Sequence, residues 1–150
     1  MDILIDFDGT CVTHEFPKVG KDIGAAPILK ELVANGHNLI LFTMRSDVIN
    51  QKSNDPTIIP ISGNYLTDAI EWFKKNDIPL YGIQTNPTQH TWTSSPKAYG
   101  QIMIDDSAIG CPLHYGLFDN DLNYVEYSRP YVNWKKVRKI LVSDGIFVLS

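Results

Sequence analysis

Residues 3–10 read ILIDFDGT, an apolar run that ends in two aspartates and a glycine. Short apolar runs bounded by turn residues are typical of buried strands, and this one predicts a first strand over residues 3–7. A carboxylate at the end of a buried strand is unfavourable unless it is paired or holds a metal. We therefore interpret Asp6 and Asp8 as members of a polar site at the end of this strand.

Further apolar runs alternate with helical patterns along the chain. Segment 26–35 places Ile28, Leu29 and Leu32 at helical spacing and is followed by Gly36, a common helix stop. Alternation of this kind predicts parallel βαβ units, and we expect a three-layer, doubly wound α/β sheet of Rossmann type. Strands are predicted over 3–7, 38–43, 79–84 and 101–106, with a short one over 114–118, and helices over 26–35, 64–76 and 130–142, while residues 146–149 form an edge strand or pack against the core.

Length and composition predict one ordinary globular domain over residues 1–150. Hydrophobic residues make up 43% and charged residues 20%, which excludes general disorder. The formal net charge of −4 gives no general reason to bind nucleic acid or an anionic membrane. Cys11 and Cys111 provide neither a disulfide framework nor zinc-ligand spacing, and no signal peptide or membrane span is visible. We expect a reduced, cytoplasmic protein with no membrane partner.

A second pair of acids, Asp105 and Asp106, ends another predicted strand. The carboxyl ends of parallel strands meet at one edge of a sheet, so this pair is expected beside Asp6 and Asp8. Four carboxylates in one crevice would repel each other and raise each other's pKa. A divalent cation removes this conflict, and ligands that are all oxygen indicate Mg²⁺. The alternative is that these acids cap helices or turns independently.

Three further residues complete a predicted site for a tetrahedral anion, which we interpret as phosphate. Thr43 ends the second strand and offers a hydroxyl and backbone N–H groups, and Lys97 precedes the fourth strand and can supply an ammonium. Gly9 lets the backbone approach a ligand closely. Taken singly, however, a strand-end threonine and a solvated surface lysine are common structural features.

Together these residues resemble the motifs of the haloacid dehalogenase superfamily. Residues 3–10 resemble its first motif, and residues 39–43, LILFT, resemble its second. Lys97 stands where the third-motif lysine is expected, and residues 102–106, IMIDD, resemble the double-aspartate form of the fourth. The four occur in the superfamily's order over about two-thirds of the chain.

The resemblance implies a phosphoric monoester hydrolase. Asp6 would attack phosphorus and form an aspartyl-phosphate, and Asp8 would act first as a general acid and then as a base. Mg²⁺ would be held by Asp6, the Asp8 main-chain carbonyl, and Asp105 or Asp106, with the direct ligand of the two left open. The superfamily's true dehalogenases need no magnesium and no acid at the Asp8 position, so these acids argue against dehalogenation.

The resemblance also implies how substrate is held. The non-bridging phosphate oxygens would be bound by Thr43 and Lys97, and we expect Arg45 to reach substrate as well. The segments in which the superfamily inserts cap domains are too short here for one, so we expect a capless enzyme. Loops over 45–63 and 86–95 would then shape the site, with 45–63 as the main specificity element.

Without a cap, the crevice needs another cover. We expect a phosphorylated small molecule, a bulkier phosphomonoester that covers the site itself, or a second copy of the chain that supplies the lid. A long nucleic acid is disfavoured by the net charge. Two other functions stay open: transfer of the phosphoryl group to an alcohol, and a non-enzymatic receiver-like switch. A receiver carries its phosphorylated aspartate after the third strand, whereas the second acid pair here follows the fourth.

Overall fold

Strands and helices alternate along the part of the chain that the structure, a computed structural model, describes: residues 1–48, 63–115 and 129–147. No helix in these ranges is long and apolar enough to cross a membrane. In chain order the elements are β1 (Asp2–Ile5), α1 (Ala25–Ala34), β2 (Asn38–Leu41), β3 (Asp47–Val48), β4 (Gly63–Asn64), α2 (Tyr65–Lys75), β5 (Gly82–Ile83), a 3-10 turn (Gln89–Thr91), β6 (Ile102–Ile104), β7 (Leu113–His114), β8 (Tyr131–Val132) and α3 (Trp134–Ser143).

Four strands form one parallel sheet in the order β5-β2-β1-β6. In the register of this sheet Ile5 is paired with Leu41 of β2 on one side and with Ile104 of β6 on the other. These three strands therefore end together, and Asp6 and Asp105, the residues that follow β1 and β6, emerge at the same edge. The predicted α/β class, a parallel sheet flanked by helices, is confirmed.

The helices pack on one face of this sheet. Ile3 and Ile5 of β1 belong to a buried cluster that includes side chains from α1, α2 and α3, whereas the intervening Leu4 belongs to a separate cluster on the opposite face. This alternation follows from the period of two along a strand. Full burial of each such aliphatic side chain contributes about 1.5–3 kcal/mol.

The opposite face is covered by the chain segment 84–101 instead of a helix. Ala98 of this segment packs with Leu4 and Ile40. The segment contains one 3-10 turn, and its prolines, such as Pro87, together with its serines and threonines oppose a longer helix. The third layer of the sandwich is therefore irregular chain. Neither this segment nor the one after β1, both fully described, carries an inserted domain.

Element boundaries differ from the predictions where turns or strand pairing intervene. β1 is shorter than predicted because the Phe7 carbonyl accepts hydrogen bonds from the N–H groups of Thr10 and Cys11, which turns the chain. α3 begins later than predicted, at Trp134, because the Asn133 side chain caps it by accepting from a backbone N–H.

The predicted loop 45–63 and the predicted strand 114–118 both take part in antiparallel pairing. The ends of the predicted loop 45–63 are joined because β3 pairs with β4, and the predicted strand 114–118 is represented by β7, which pairs with β8. Residues 49–62 and 116–118 of these two predictions lie outside the described residues. So do residues 148–149 of the predicted final segment, where Ile146 and Phe147 are buried in the core.

Candidate metal and phosphate site

Three carboxylates from two neighbouring strands converge at the carboxyl edge of the sheet. One oxygen from each of Asp6, Asp105 and Asp106 lies within 4.8 Å of the other two. They line a cavity of about 420 Å³, which Asp8 and Thr43 also border. Oxygen donors at this spacing suit a small hard cation such as Mg²⁺. The structure thus joins the two acid pairs that the sequence predicts to meet.

Burial makes Asp6 the most perturbed acid of the cluster. Its pKa is raised from the ordinary value of 3.8 to about 8, first by burial and then by the negative charge of Asp105. A hydrogen bond from the Thr10 hydroxyl to Asp6 Oδ2 (2.9 Å) opposes this shift but does not cancel it. A cation at the cluster would remove the unfavourable charge, so the residues present fit a metal.

This pKa predicts a pH dependence of stability in metal-free protein. Because the folded pKa of Asp6 exceeds its unfolded value, the folded state binds the proton more tightly, and this stabilisation, complete below about pH 4, is lost as pH rises to about 8. The limiting slope is about 1.4 kcal/mol per pH unit. Asp6→Asn removes the titration, so the variant should gain stability over wild type between pH 5 and pH 8.

Urea unfolding in excess chelator measures this difference. Subtracting the wild-type free energy of unfolding from that of Asp6→Asn at each pH cancels the contributions of the other acids that do not interact with Asp6. A difference that stays constant between pH 5 and pH 8 would contradict the raised pKa of Asp6.

Thr10 and His14 hold Asp106 in place. The Thr10 hydroxyl accepts a hydrogen bond from the Asp106 N–H (3.1 Å) and lies 3.3 Å from Asp106 Oδ1. His14 Nε2 lies 2.8 Å from Asp106 Oδ2. Asp105 is held separately, because its Oδ1 accepts from both the N–H and the hydroxyl of Ser107. The sequence analysis assigned no role to His14, whose isolated position in a polar loop carries no motif.

Gly9 serves this arrangement through its missing side chain. Its φ is +77°, and a Cβ there would lie 1.9 Å from His14 Nε2 and 2.7 Å from Asp106 Oδ2. Its N–H donates to the Val12 carbonyl at 2.7 Å. The space above Gly9, predicted to admit a ligand, is therefore occupied by His14.

Asp8 is paired with Arg45 through both carboxylate oxygens. Arg45 Nε donates to Oδ2 at 2.7 Å, and Nη2 donates to Oδ1 at 2.8 Å. The same guanidinium donates to the main-chain carbonyls of Lys18 (2.8 Å) and Tyr65 (3.1 Å). Arg45 thereby joins the loop after β1 to the start of α2. Arg45 as a whole is only 2% exposed.

Aromatic rings enclose the Arg45 guanidinium. Its central carbon lies 5.0 Å from the ring centroid of Phe7 and 5.2 Å from that of Phe16, within the range of cation–π attraction. Arg45, expected to reach substrate directly, instead lines the cavity wall with its charge committed to Asp8. The sequence could not show this, since Asp8 and Arg45 are far apart in the chain.

Arg45→Ala should destabilise the protein by about 3 kcal/mol, because it leaves the Asp8 charge unpaired in a part-buried position. Arg45→Lys keeps the positive charge but cannot donate two parallel N–H bonds to Asp8. It should therefore recover only part of the lost free energy of unfolding. Urea unfolding measures both. The matched control is Arg138→Ala, which breaks the more exposed pair with Glu31 and should destabilise the protein much less. Equal losses in the two alanine variants would contradict the structural role of Arg45.

Thr43 borders the cavity, and its backbone N–H and carbonyl are hydrogen-bonded to Gln84. The Thr43 N–H donates to Gln84 Oε1 (2.9 Å), and Gln84 Nε2 donates back to the Thr43 carbonyl (2.7 Å). The Thr43 hydroxyl oxygen accepts from the Arg45 N–H at 3.1 Å, so the hydroxyl proton can point to a ligand. Of the groups predicted for Thr43, the hydroxyl remains. Gln84, which the sequence analysis missed, fixes its position.

Lys97 lies outside this cavity, contrary to its expected position. The segment between β5 and β6 is tied to the first residue of β1: Asn86 Nδ2 donates to Asp2 Oδ2, and the Gln101 N–H donates to the Asp2 carbonyl, each at 2.9 Å. The cluster lies instead beyond the other end of β1. No helix links β5 to β6 and returns Lys97 to that edge, so its exposed side chain stands beside Trp92.

Arg129 is a cavity-lining cation that the sequence analysis did not identify. It precedes β8, whose Val132 N–H donates to the Gly9 carbonyl at 2.9 Å. Residues that follow it are therefore fixed to the loop that carries Asp6 and Asp8. Because Arg129 belongs to no motif and is distant in sequence from every acid of the cluster, only the tertiary structure reveals it.

Comparisons with known proteins support the fold of this chain and assign no chemistry to it. No family model matches the chain, and no curated protein matches it. A solved structure of a conserved protein from Bacteroides thetaiotaomicron is similar, with a TM-score of 0.65 and 25% sequence identity over 96% of this chain and 91% of that one. This similarity extends over nearly the whole chain and supports the α/β architecture.

Proposed function

We propose that this protein is a Mg²⁺-dependent phosphohydrolase that cleaves a phosphomonoester through a phosphorylated Asp6. The observation that carries this proposal is the convergence of Asp6, Asp105 and Asp106 within 4.8 Å, in a cavity that Thr43 also lines. Asp6, Asp105 and Asp106 would hold the cation, which supplies positive charge beside the phosphoryl oxygens when bound.

Asp6 is the proposed nucleophile. A carboxylate oxygen of Asp6 attacks phosphorus, the bond from phosphorus to the ester oxygen breaks, and the phosphoryl group becomes an acyl-phosphate on Asp6. A water oxygen then attacks phosphorus, the bond from phosphorus to the Asp6 oxygen breaks, and inorganic phosphate leaves. Thr10 supports this role, because its hydroxyl orients the Asp6 carboxylate from the protein side. The Thr43 hydroxyl would donate to a phosphoryl oxygen.

Asp8 is the proposed general acid and base. Both of its carboxylate oxygens accept hydrogen bonds from Arg45. To carry a proton to the ester oxygen, Asp8 must give up one of its two hydrogen bonds from Arg45. The same carboxylate, once ionised, can accept a proton from the attacking water and return to Arg45. Arg45 thus positions Asp8 without touching the phosphoryl group.

The Asp8–Arg45 pair also favours a second candidate function, a phosphoaspartate switch. If Asp8 stays paired with Arg45, water is not activated and phosphorylated Asp6 persists. The protein would then signal through the phosphorylated state, as a receiver-like module does. Release of many phosphate ions per protein molecule favours the hydrolase, and release of at most one favours the switch.

The mouth of the cavity favours an ester with an apolar part. Met44 is 98% exposed and Phe16 is 52% exposed, and both line this cavity. Apolar side chains beside a polar centre are common where a ligand covers them. We therefore propose a phosphomonoester larger than a simple alkyl phosphate as substrate.

Phosphate release tests the proposed function. Purified protein with Mg²⁺ is incubated with a panel of aryl phosphates, sugar phosphates and nucleoside monophosphates, in parallel with Asp6→Asn as background. The proposal predicts multiple-turnover release above that background for at least one ester, and larger kcat/KM for esters with bulky apolar groups. Release no greater than that of Asp6→Asn across the whole panel would contradict it. Added alcohol acceptors that capture the phosphoryl group would identify a transferase instead.

A further inference from the structure

The charges that line the cavity leave one cation without a carboxylate. Arg45 is paired with Asp8, and His14 lies 2.8 Å from Asp106. Arg129 lines the same cavity, is exposed, and makes no hydrogen bond or ion pair with another described residue. A phosphate dianion needs positive charge in addition to a metal ion. Within the described lining, Arg129 is the group free to supply it.

The segment that follows Arg129 is anchored to the loop that carries the acids. The N–H of Val132, three residues further on, donates to the Gly9 carbonyl. Trp134 is 2% exposed, and its indole Nε1–H donates to the Thr10 carbonyl at 2.7 Å. These bonds join the segment that begins at Arg129 to the residues that position Asp6.

The opposite strand of this small sheet adds a further anchor. β7 pairs with β8, and the Asn133 N–H donates to the Pro112 carbonyl at 2.8 Å. β7 follows Asp105 and Asp106 in the chain. The segment after Arg129 is therefore bonded both to the loop that follows Asp6 and to the strand that follows Asp105 and Asp106. An arginine at this point can therefore address an anion bound at the cluster in a reproducible geometry.

We propose that Arg129 is the phosphate-binding cation of this site. It would take the role that the sequence pattern predicts for Lys97. Its planar fork can donate two parallel N–H bonds to two oxygens of a tetrahedral anion, whereas a lysine acts as a point charge. This inference rests on the proposed function, since it assigns a ligand to the same cavity. It also explains how a chain whose lysine lies elsewhere retains a phosphate site.

Binding of inorganic phosphate tests this assignment directly. Titration calorimetry with Mg²⁺ present compares wild type with Arg129→Ala, Arg129→Lys, Lys97→Ala and the exposed control Lys135→Ala. Loss of charged hydrogen bonds should weaken phosphate binding about ten- to a hundredfold in Arg129→Ala. Arg129→Lys should be intermediate. Lys97→Ala and Lys135→Ala should stay within about twofold of wild type, which excludes a general effect of net charge.

A second readout separates a direct role from a structural one. Added guanidinium ion at low millimolar concentration should restore part of the lost kcat/KM on an aryl phosphate in Arg129→Ala and leave Lys97→Ala unchanged. Thermal unfolding of Arg129→Ala should match wild type, because the side chain is exposed.

The outcomes distinguish failure of this inference from failure of the proposed function. If wild type binds phosphate and turns over esters, but Lys97→Ala loses both and Arg129→Ala retains both, the assignment of Arg129 is overturned and the hydrolase stands. If wild type neither binds phosphate nor releases it from any ester, the proposed function and the role of Arg129 both fall.

Discussion

Asp6→Asn is expected to lower kcat/KM by a factor of about a thousand or more, which corresponds to several kcal/mol of lost transition-state stabilisation. An amide oxygen is a poor nucleophile and cannot form the acyl-phosphate. The fold should persist, because an amide still accepts the Thr10 hydrogen bond and removes a carboxyl whose charge is unfavourable at that position. Steady-state phosphate release, with circular dichroism as a check on folding, measures the effect.

The matched control is Asp77→Asn, at an exposed position with φ +55° that asparagine tolerates well. This variant makes the same chemical change far from the cluster in sequence and should keep wild-type activity. Retention of more than about a tenth of wild-type kcat/KM by Asp6→Asn would rule out Asp6 as the nucleophile.

Removal of divalent cations is expected to reduce turnover to background, and Mg²⁺ to restore it. Without a cation, the pKa of Asp6 is raised to about 8, so most Asp6 carboxyls are protonated at neutral pH and cannot attack. The neighbouring carboxylates of Asp105 and Asp106 would also repel the phosphate dianion. Ca²⁺ is expected to inhibit, because it is larger and takes more ligands, including a second oxygen from a carboxylate that must stay free.

Activity is measured after chelation and dialysis, then after return of each cation. The amide variants Asp105→Asn and Asp106→Asn provide the internal comparison, since loss of a direct ligand should raise the Mg²⁺ concentration needed for half-maximal activity. The variant with the larger effect identifies the direct ligand, which the sequence leaves open. Full activity in excess chelator would contradict the metal site.

The acidic cluster could be predicted because its signal is local. Asp6 and Asp105 each end a short apolar strand, and parallel strands bring their carboxyl ends to one edge whatever the connecting segments do. The same rule placed Thr43 correctly. Helices α1 and α2 were also predictable within one or two residues, because their apolar spacing matches the helical period.

The rest of the site depends on contacts between distant parts of the chain. Arg45 meets Asp8 and His14 meets Asp106 through loops whose path no periodicity encodes. Lys97 was predicted at the site and lies outside it. Its spacing from Asp105 and Asp106 fits the motif order of the superfamily that the sequence resembles. The segment that carries it lacks the helix that would return it to the site, so its position follows from anchors at the start of β1.

Phosphorylation of Asp6 is the step that defines the proposed mechanism, and mass spectrometry detects it. Asp8→Asn, which cannot activate water, is mixed with Mg²⁺ and an aryl phosphate whose leaving group needs no acid, then quenched in acid and digested. The account predicts a stoichiometric gain of one phosphoryl group on the peptide that contains Asp6, and none in the double variant Asp6→Asn/Asp8→Asn. An unmodified Asp6 peptide in protein that still releases the aryl alcohol, or a phosphoryl group on any other residue, would contradict it.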